Sequence, residues 1–173
     1  MRARRRTLRD VIAPGLRVLF CGINPGLYSA AIGHHFGRPG NRFWRTLYAA
    51  GFTPSLFSPE QDGSLLELGL GITNLCPRTT ATADELTADE LARGARELLA
   101  KARRYRPRVV AVLGIGAYRL GFDHADAAVG RQEAPIAGSR AWVLPNPSGL
   151  NAHYGLQDLT QHFRMLREAL DKP

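Results

Sequence analysis

Four short apolar runs divide the chain: Arg17-Val18-Leu19-Phe20-Cys21-Gly22, Gly71-Ile72-Thr73-Asn74-Leu75, Val109-Val110-Ala111-Val112-Leu113-Gly114 and Ala141-Trp142-Val143-Leu144. Consecutive apolar positions bounded by turn residues predict strands buried on both faces. Between and after these runs the spacing becomes helical. Thr87-Ala88-Asp89-Glu90 has the spacing of a capping box, and Leu91, Ala95, Leu98, Ala102 and Tyr105 then recur on one helical face. Leu159, Phe163, Leu166 and Leu170 predict another amphipathic helix, from about residue 156 to 170. A shorter helix is predicted from near Asn41, its cap, to Ala49. Fully apolar strands alternating with amphipathic helices predict an α/β fold of three layers, α/β/α, around a central, mostly parallel sheet.

Ligands in such sheets gather beyond the carboxyl ends of the strands. The loops after residues 22, 75, 114 and 144 are therefore where chemistry is expected. In Gly22-Ile23-Asn24-Pro25-Gly26, glycines allow close approach and Pro25 stiffens the turn around one amide. Asn24 either presents that amide to a water and a substrate or closes a turn on its own backbone. Pro145-Asn146-Pro147-Ser148-Gly149-Leu150-Asn151 has the same grammar, with one apolar residue among polar ones. Leu150 either protrudes as a wedge for a base stack or tucks into the core. Within Gly33 to Trp44, Phe36 is placed to stack on a nucleobase, while Phe43 and Trp44 suit the core. His34-His35 lacks the further ligands that zinc needs. Cys76, two residues from Arg78, is either an activated or a packed thiol. Gly114-Ile115-Gly116 lacks the third glycine and the acidic partner of a dinucleotide fingerprint. No metal and no cofactor are expected.

The 173 residues suit one domain, and no internal repeat or linker divides them. A formal charge of +8 points to a polyanionic partner, but Arg2, Arg4, Arg5, Arg6 and Arg9 supply +5 of it and leave about +3 for the rest. Residues 1–12 are expected to form a basic tail, either solvated or on backbone phosphates, and 13–173 the single domain. No apolar run follows Met1-Arg2-Ala3 as in a secretory signal, and Cys21 and Cys76 lie far apart. A cytoplasmic monomer is the expectation.

Gly22-Ile23-Asn24-Pro25-Gly26-Leu27, Pro39-Gly40-Asn41-Arg42-Phe43-Trp44 and Asn146-Pro147-Ser148-Gly149-Leu150, in this order, resemble the mismatch-specific uracil-DNA glycosylases and the related thymine-DNA glycosylases. The likeness runs from about Ala13 to Leu170, and Gly71 to Leu75 with Arg78-Thr79-Thr80 looks closer to the thymine enzymes. It implies a uracil-DNA-glycosylase-like fold. It also implies a monofunctional enzyme that flips uracil, or another pyrimidine, out of a mispair with guanine and hydrolyses its glycosidic bond to initiate base-excision repair. On this resemblance Asn24 holds the catalytic water. Ile23, Gly26, His35, Phe36 and Asn74 form the base pocket, where Gly26 leaves room for a 5-methyl group. Leu150 is the wedge, with Asn146, Ser148, Gly149 and Asn151 on the DNA and the orphaned guanine. The family's Arg two places after the wedge is replaced by Ala152, followed by His153. An Asp at 24 is expected to hold water at least as well as the amide. Double-stranded DNA is the expected partner. A non-catalytic binder of mismatched DNA and a nucleoside hydrolase are the alternatives.

Overall fold

The computed structural model describes residues 7–172. The arginine-rich stretch through Arg6, and with it half of the expected basic tail, lies outside the described residues. In chain order the elements are β1 (Val18–Gly22), α1 (Leu27–Ile32), α2 (Phe43–Ala49), a 3-10 segment (Pro59–Leu68), β2 (Leu70–Asn74), a 3-10 turn (Ala83–Glu85), α3 (Ala88–Tyr105), β3 (Val109–Leu113), α4 (Ile115–Gly121), β4 (Gly130–Arg131), β5 (Arg140–Leu144) and α5 (Leu156–Leu170). The sheet order is β2-β1-β3-β5-β4. The first four strands are mutually parallel, and β4 is a two-residue antiparallel edge on β5.

The predicted strands and the long helices are all present. Thr87 Oγ1 accepts from Glu90 N at 3.1 Å and Glu90 Oε2 from Thr87 N at 2.8 Å, so the capping box forms as its spacing implied. Asn41 acts one position earlier than a formal cap, its Oδ1 accepting from Phe43 N at 2.9 Å. Two helices escaped the pattern. α1 and α4 are too short for a 3.6-residue period to register, and α4 carries two glycines.

Strand alternation divides the core in two. Val18 and Phe20 face α2 and α5 and pack with Phe43, Leu47, Phe163 and Leu166. Leu19 and Cys21 face α3 and α4 and pack with Leu91, Leu98, Ala102 and Tyr118. Both faces of the sheet are covered, which is why the strands read as continuous apolar runs. Among the described residues no helix is long and apolar enough to cross a membrane.

The register decides where the loops meet. Gly22 pairs with Asn74, Cys21 with Val112, and Leu113 with Leu144. The carboxyl ends of β1, β2, β3 and β5 therefore form one row, and four loops leave the sheet at one edge.

The boundary expected after residue 12 differs from what is seen. Val11 and Ile72 exchange backbone hydrogen bonds of 2.9 and 2.8 Å. Asp10 takes an ion pair from Lys101 at 2.7 Å and a hydrogen bond from Thr73 Oγ1 at 2.8 Å. An apolar residue beside the exposed edge of β2 satisfies that strand's free backbone groups, so these residues join the body. Gly71 allows the approach, because a Cβ there would overlap the Val11 carbonyl.

Gly94 does the same between α3 and the end of β2. A Cβ at this position would overlap the Leu75 carbonyl, which is backbone and cannot rotate away. Gly94→Ala gains about 1 kcal/mol of helix propensity. It also imposes an overpacking cost of about 1–3 kcal/mol, which should win. The expected result in urea titration is a lower midpoint with an unchanged slope.

Candidate active site

A cleft of about 130 Å³ opens at the common edge where β1, β2, β3 and β5 end. Strand order reverses between β1 and β3, the position at which open α/β sheets form crevices. Ile23, Asn24, Gly26, Phe36, Asn74, Asn146, Ser148 and Leu150 line the cleft, as does the side of His35. Gly149 and Asn151 are not among the lining residues, and they sit in the turn that carries Leu150.

Asn24 is held by its amide nitrogen. Nδ2 donates to Arg78 O at 2.8 Å and to Thr80 Oγ1 at 2.7 Å. A carbonyl only accepts, so the NH2 group must face Arg78. The Thr80 hydroxyl donates its own proton to Thr82 O at 2.7 Å and therefore offers Asn24 a lone pair. Oδ1 is left at the cleft as an acceptor with no hydrogen-bond partner among the described residues. The Arg78–Thr80 loop is tied back in turn: Thr80 N donates to Pro25 O at 3.2 Å, and Arg78 pairs with Glu90 at 2.6 Å. The hydrogen bond from Arg78 is the main reason that the Glu90 carboxyl is held down to about 2. Sequence reasoning gave Thr80 no role of its own, because its contact spans 56 residues and no local spacing announces it.

Phe36 forms the floor. Its ring stacks on Phe43 with centroids 4.1 Å apart, and Phe43 meets Phe20 edge-on at 5.6 Å. The cleft-facing ring is thus the top of an aromatic column rooted in β1. Its backbone has φ 51°, a region that a bulky residue adopts only when the surroundings impose it. Asn74 stands over Gly22, where an added Cβ would come within 2.8 Å of its Oδ1. The Asn74 amide forms no hydrogen bond among the described residues and is half-buried at the cleft.

His35 lines the cleft but is committed to partners within the protein. The residue is only 2% exposed. Its Nε2 donates to Arg9 O at 2.8 Å, its backbone N donates to Asp62 Oδ2 at 3.0 Å, and its carbonyl accepts from Trp44 Nε1 at 3.2 Å. The ring has little surface to offer a base; it pins the wall of the cleft. His34 points elsewhere, with Nδ1 3.2 Å from Asp62 Oδ1. Cys76 is a packed thiol, Sγ lying 3.4 Å from Glu90 O, and burial pushes it up to about 11.

The loop after β5 is closed by its own polar side chains. Asn146 Oδ1 accepts from Ser148 N at 3.0 Å, Ser148 Oγ from Leu150 N at 3.2 Å, and Asn151 Nδ2 donates to Asn146 O at 3.0 Å. Gly149 lies against Gly40, with room for no Cβ. These contacts turn Leu150 outward. It is 59% exposed, and the alternative of a core leucine is not what forms.

The sequence matches the Uracil DNA glycosylase superfamily over residues 9–171. Among solved structures, one from Methanosarcina acetivorans, determined by solution NMR and provisionally assigned as a uracil DNA glycosylase, superposes with a TM-score of 0.59. The two chains are 21% identical, and the match covers 94% of this chain and 98% of that one. At that identity the likeness bears on the fold.

The buried histidine carries a pH signature. Desolvation holds the His35 imidazole below its ordinary value of 6.5, against the opposing effect of the Arg9 carbonyl. The unfolded chain therefore takes up a proton near that value while the folded chain does not. Stability should be full above about pH 6.5 and decline as pH falls below it. Urea midpoints at about pH 7.5 and 5.5 should differ in the parent, and His35→Gln should shrink the difference. An undiminished difference would place the titration elsewhere.

Proposed function

This chain belongs to the uracil DNA glycosylase superfamily, and from that premise we propose that it excises uracil mispaired with guanine by hydrolysing the glycosidic bond of a base flipped into the cleft. The observation that carries this reading is the pinned Asn24 amide, whose free acceptor oxygen lies at a cleft floored by Phe36 and flanked by an exposed leucine.

The chemistry fits the residues. As the bond between C1′ of the sugar and N1 of the base breaks, the sugar becomes electron-poor and the pyrimidine departs as a delocalised anion. A water oxygen then bonds to C1′, and its proton goes to solvent or to the departed base. Asn24 Oδ1 accepts a hydrogen bond from that water and aims it; an amide does not take the proton at neutral pH. Phe36 stacks on the flipped base, an interaction of roughly 1–3 kcal/mol. The unengaged Asn74 amide can donate to and accept from the base edge. Leu150 fills the space that the base vacates, and a mispaired base is preferred because it costs less to extrude. The exposed Leu150 favours a duplex substrate over a free nucleoside, and the oriented amide favours catalysis over binding alone.

Asn24→Ala should bind a G·U duplex while losing excision by on the order of 10²-fold or more in single-turnover assays. Parent-like cutting would remove Asn24 from the mechanism. Asn24→Asp should also lose activity, and here the geometry reverses the expectation from sequence. A carboxylate oxygen in place of Nδ2 would face the Arg78 carbonyl and a Thr80 hydroxyl whose proton is already given to Thr82. Thr80→Ser should retain activity and Thr80→Val should weaken it, since only Ser keeps the acceptor.

Gly26 has φ −76°, and nothing lies within 4 Å of where its Cβ would stand. Gly26→Tyr can therefore be built without distorting the loop, and its ring would reach into the cleft. We expect excision of thymine and other 5-substituted pyrimidines opposite guanine to fall more than that of uracil. Equal loss on a substrate panel would mean that the loop, not the space, was disturbed.

A further inference from the structure

The polar side chains of the Leu150 loop fix the shape of the turn, but they bond only within residues 146–153 and do not attach it to the molecule. Arg42 does. Its backbone N donates to Pro147 O at 3.0 Å. Its Nη2 donates to Ser148 O at 2.8 Å and to Asn151 O at 3.0 Å, and its Nη1 donates to Tyr154 O. One half-buried residue thus binds four carbonyls spread along residues 147–154. The same residue precedes Phe43, the ring on which Phe36 stacks. Its Nε is buried with no partner, and no carboxylate pairs with the guanidinium among the described residues. An isolated charge placed there for stability alone would be expected to have an acidic partner.

We propose that Arg42 is a positioning residue for base extrusion. It holds the Leu150 turn and the Phe36 stacking platform as one rigid unit, so that insertion of the leucine into the duplex and capture of the displaced base occur at a fixed separation. This rests on the glycosylase reading above. A planar fork with donors on separate nitrogens is what lets one side chain reach Ser148, Asn151 and Tyr154 together. A lysine, with all its donors on one atom, cannot span them. The fork is occupied by carbonyls and so acts on the turn rather than on a DNA phosphate. The cation reaches the turn from the residue that caps α2.

The test compares Arg42→Lys with Leu150→Ala, singly and together, on uracil in a G·U duplex and in a single strand, under single-turnover conditions. Arg42→Lys should lose roughly tenfold or more in duplex excision relative to single-strand excision. Amide hydrogen exchange across residues 147–155 should accelerate. Adding Leu150→Ala to Arg42→Lys should cost little more, because both changes remove the same placed leucine. The salt slope of duplex binding should not change, whereas loss of a phosphate contact would lower it by about 0.9. If Arg42→Lys does not fold, Gly149→Ala replaces it: a Cβ there comes within 2.8 Å of Gly40 O and lifts the same turn. Excision by the parent combined with equal losses on both substrates, additive losses, unchanged exchange or a lowered salt slope overturns the role of Arg42. Absence of excision by the parent on either substrate overturns the glycosylase reading as well.

Discussion

Phe20 lies at the middle of β1 and touches Phe43, Phe52 and Phe163, with ring centroids 5.6, 5.6 and 6.0 Å away. Phe43 stands on Phe20, and Phe36 stands on Phe43. This column joins the deepest part of the core to the floor of the cleft. Its lower rings dock α2 and α5 on the sheet, and its top ring sets the depth of the cleft. A ring supported from below does not sink or tilt when a ligand lands on it, so the platform is preorganised by the packing that stabilises the fold. The positive φ of Phe36 is held by the same surroundings, including the carboxylate of Asp62 on the neighbouring His35 amide.

Rigidity continues through the polar atoms. Asn146, Ser148 and Asn151 use side-chain groups to close their own turn, Arg42 binds that turn from below, and Thr80 and Arg78 fix one end of the Asn24 amide. At the cleft, Asn24 Oδ1 and the Asn74 amide are among the groups left for a ligand. A site whose polar groups are already fixed by its own scaffold spends little rearrangement on binding. Asn24 is thereby an oriented acceptor and not a base, in keeping with the proposed reaction, whose departing pyrimidine stabilises its own charge.

Much of this was legible in the sequence because the signals are local. Continuous apolar runs named the strands of a doubly covered sheet, the 3.6-residue period named α3 and α5, and Thr87 with Glu90 named a helix start. The rule that ligands sit at the carboxyl ends of parallel strands then pointed to the loops around Asn24, Asn74, Asn146 and Leu150, and these loops line the cleft. Pro25 and two glycines around a lone amide drew attention to Asn24, but that local pattern left a turn-closing role open, and only the family resemblance gave it the water.

Other features are set by contacts between distant residues, to which no spacing points. Which way the Asn24 amide faces depends on a carbonyl and a hydroxyl 54 and 56 residues away, and that orientation is the ground for expecting Asp to be less suited there than the sequence implied. His35 looked like a base contact beside Phe36, and the structure ties it to the Arg9 carbonyl, the Trp44 indole and the Asp62 carboxylate in the wall of the cleft. Residues 9–12 looked like tail until Val11 met the open edge of β2. Arg42 lies inside a recognisable motif, but its four carbonyl partners are more than a hundred residues further along. Local chemistry thus determined the elements and the choice of loops. The partners of each polar atom were decided only when the sheet register and α2 brought those loops together, because a hydrogen bond depends on the final distance and angle between groups that the chain keeps far apart.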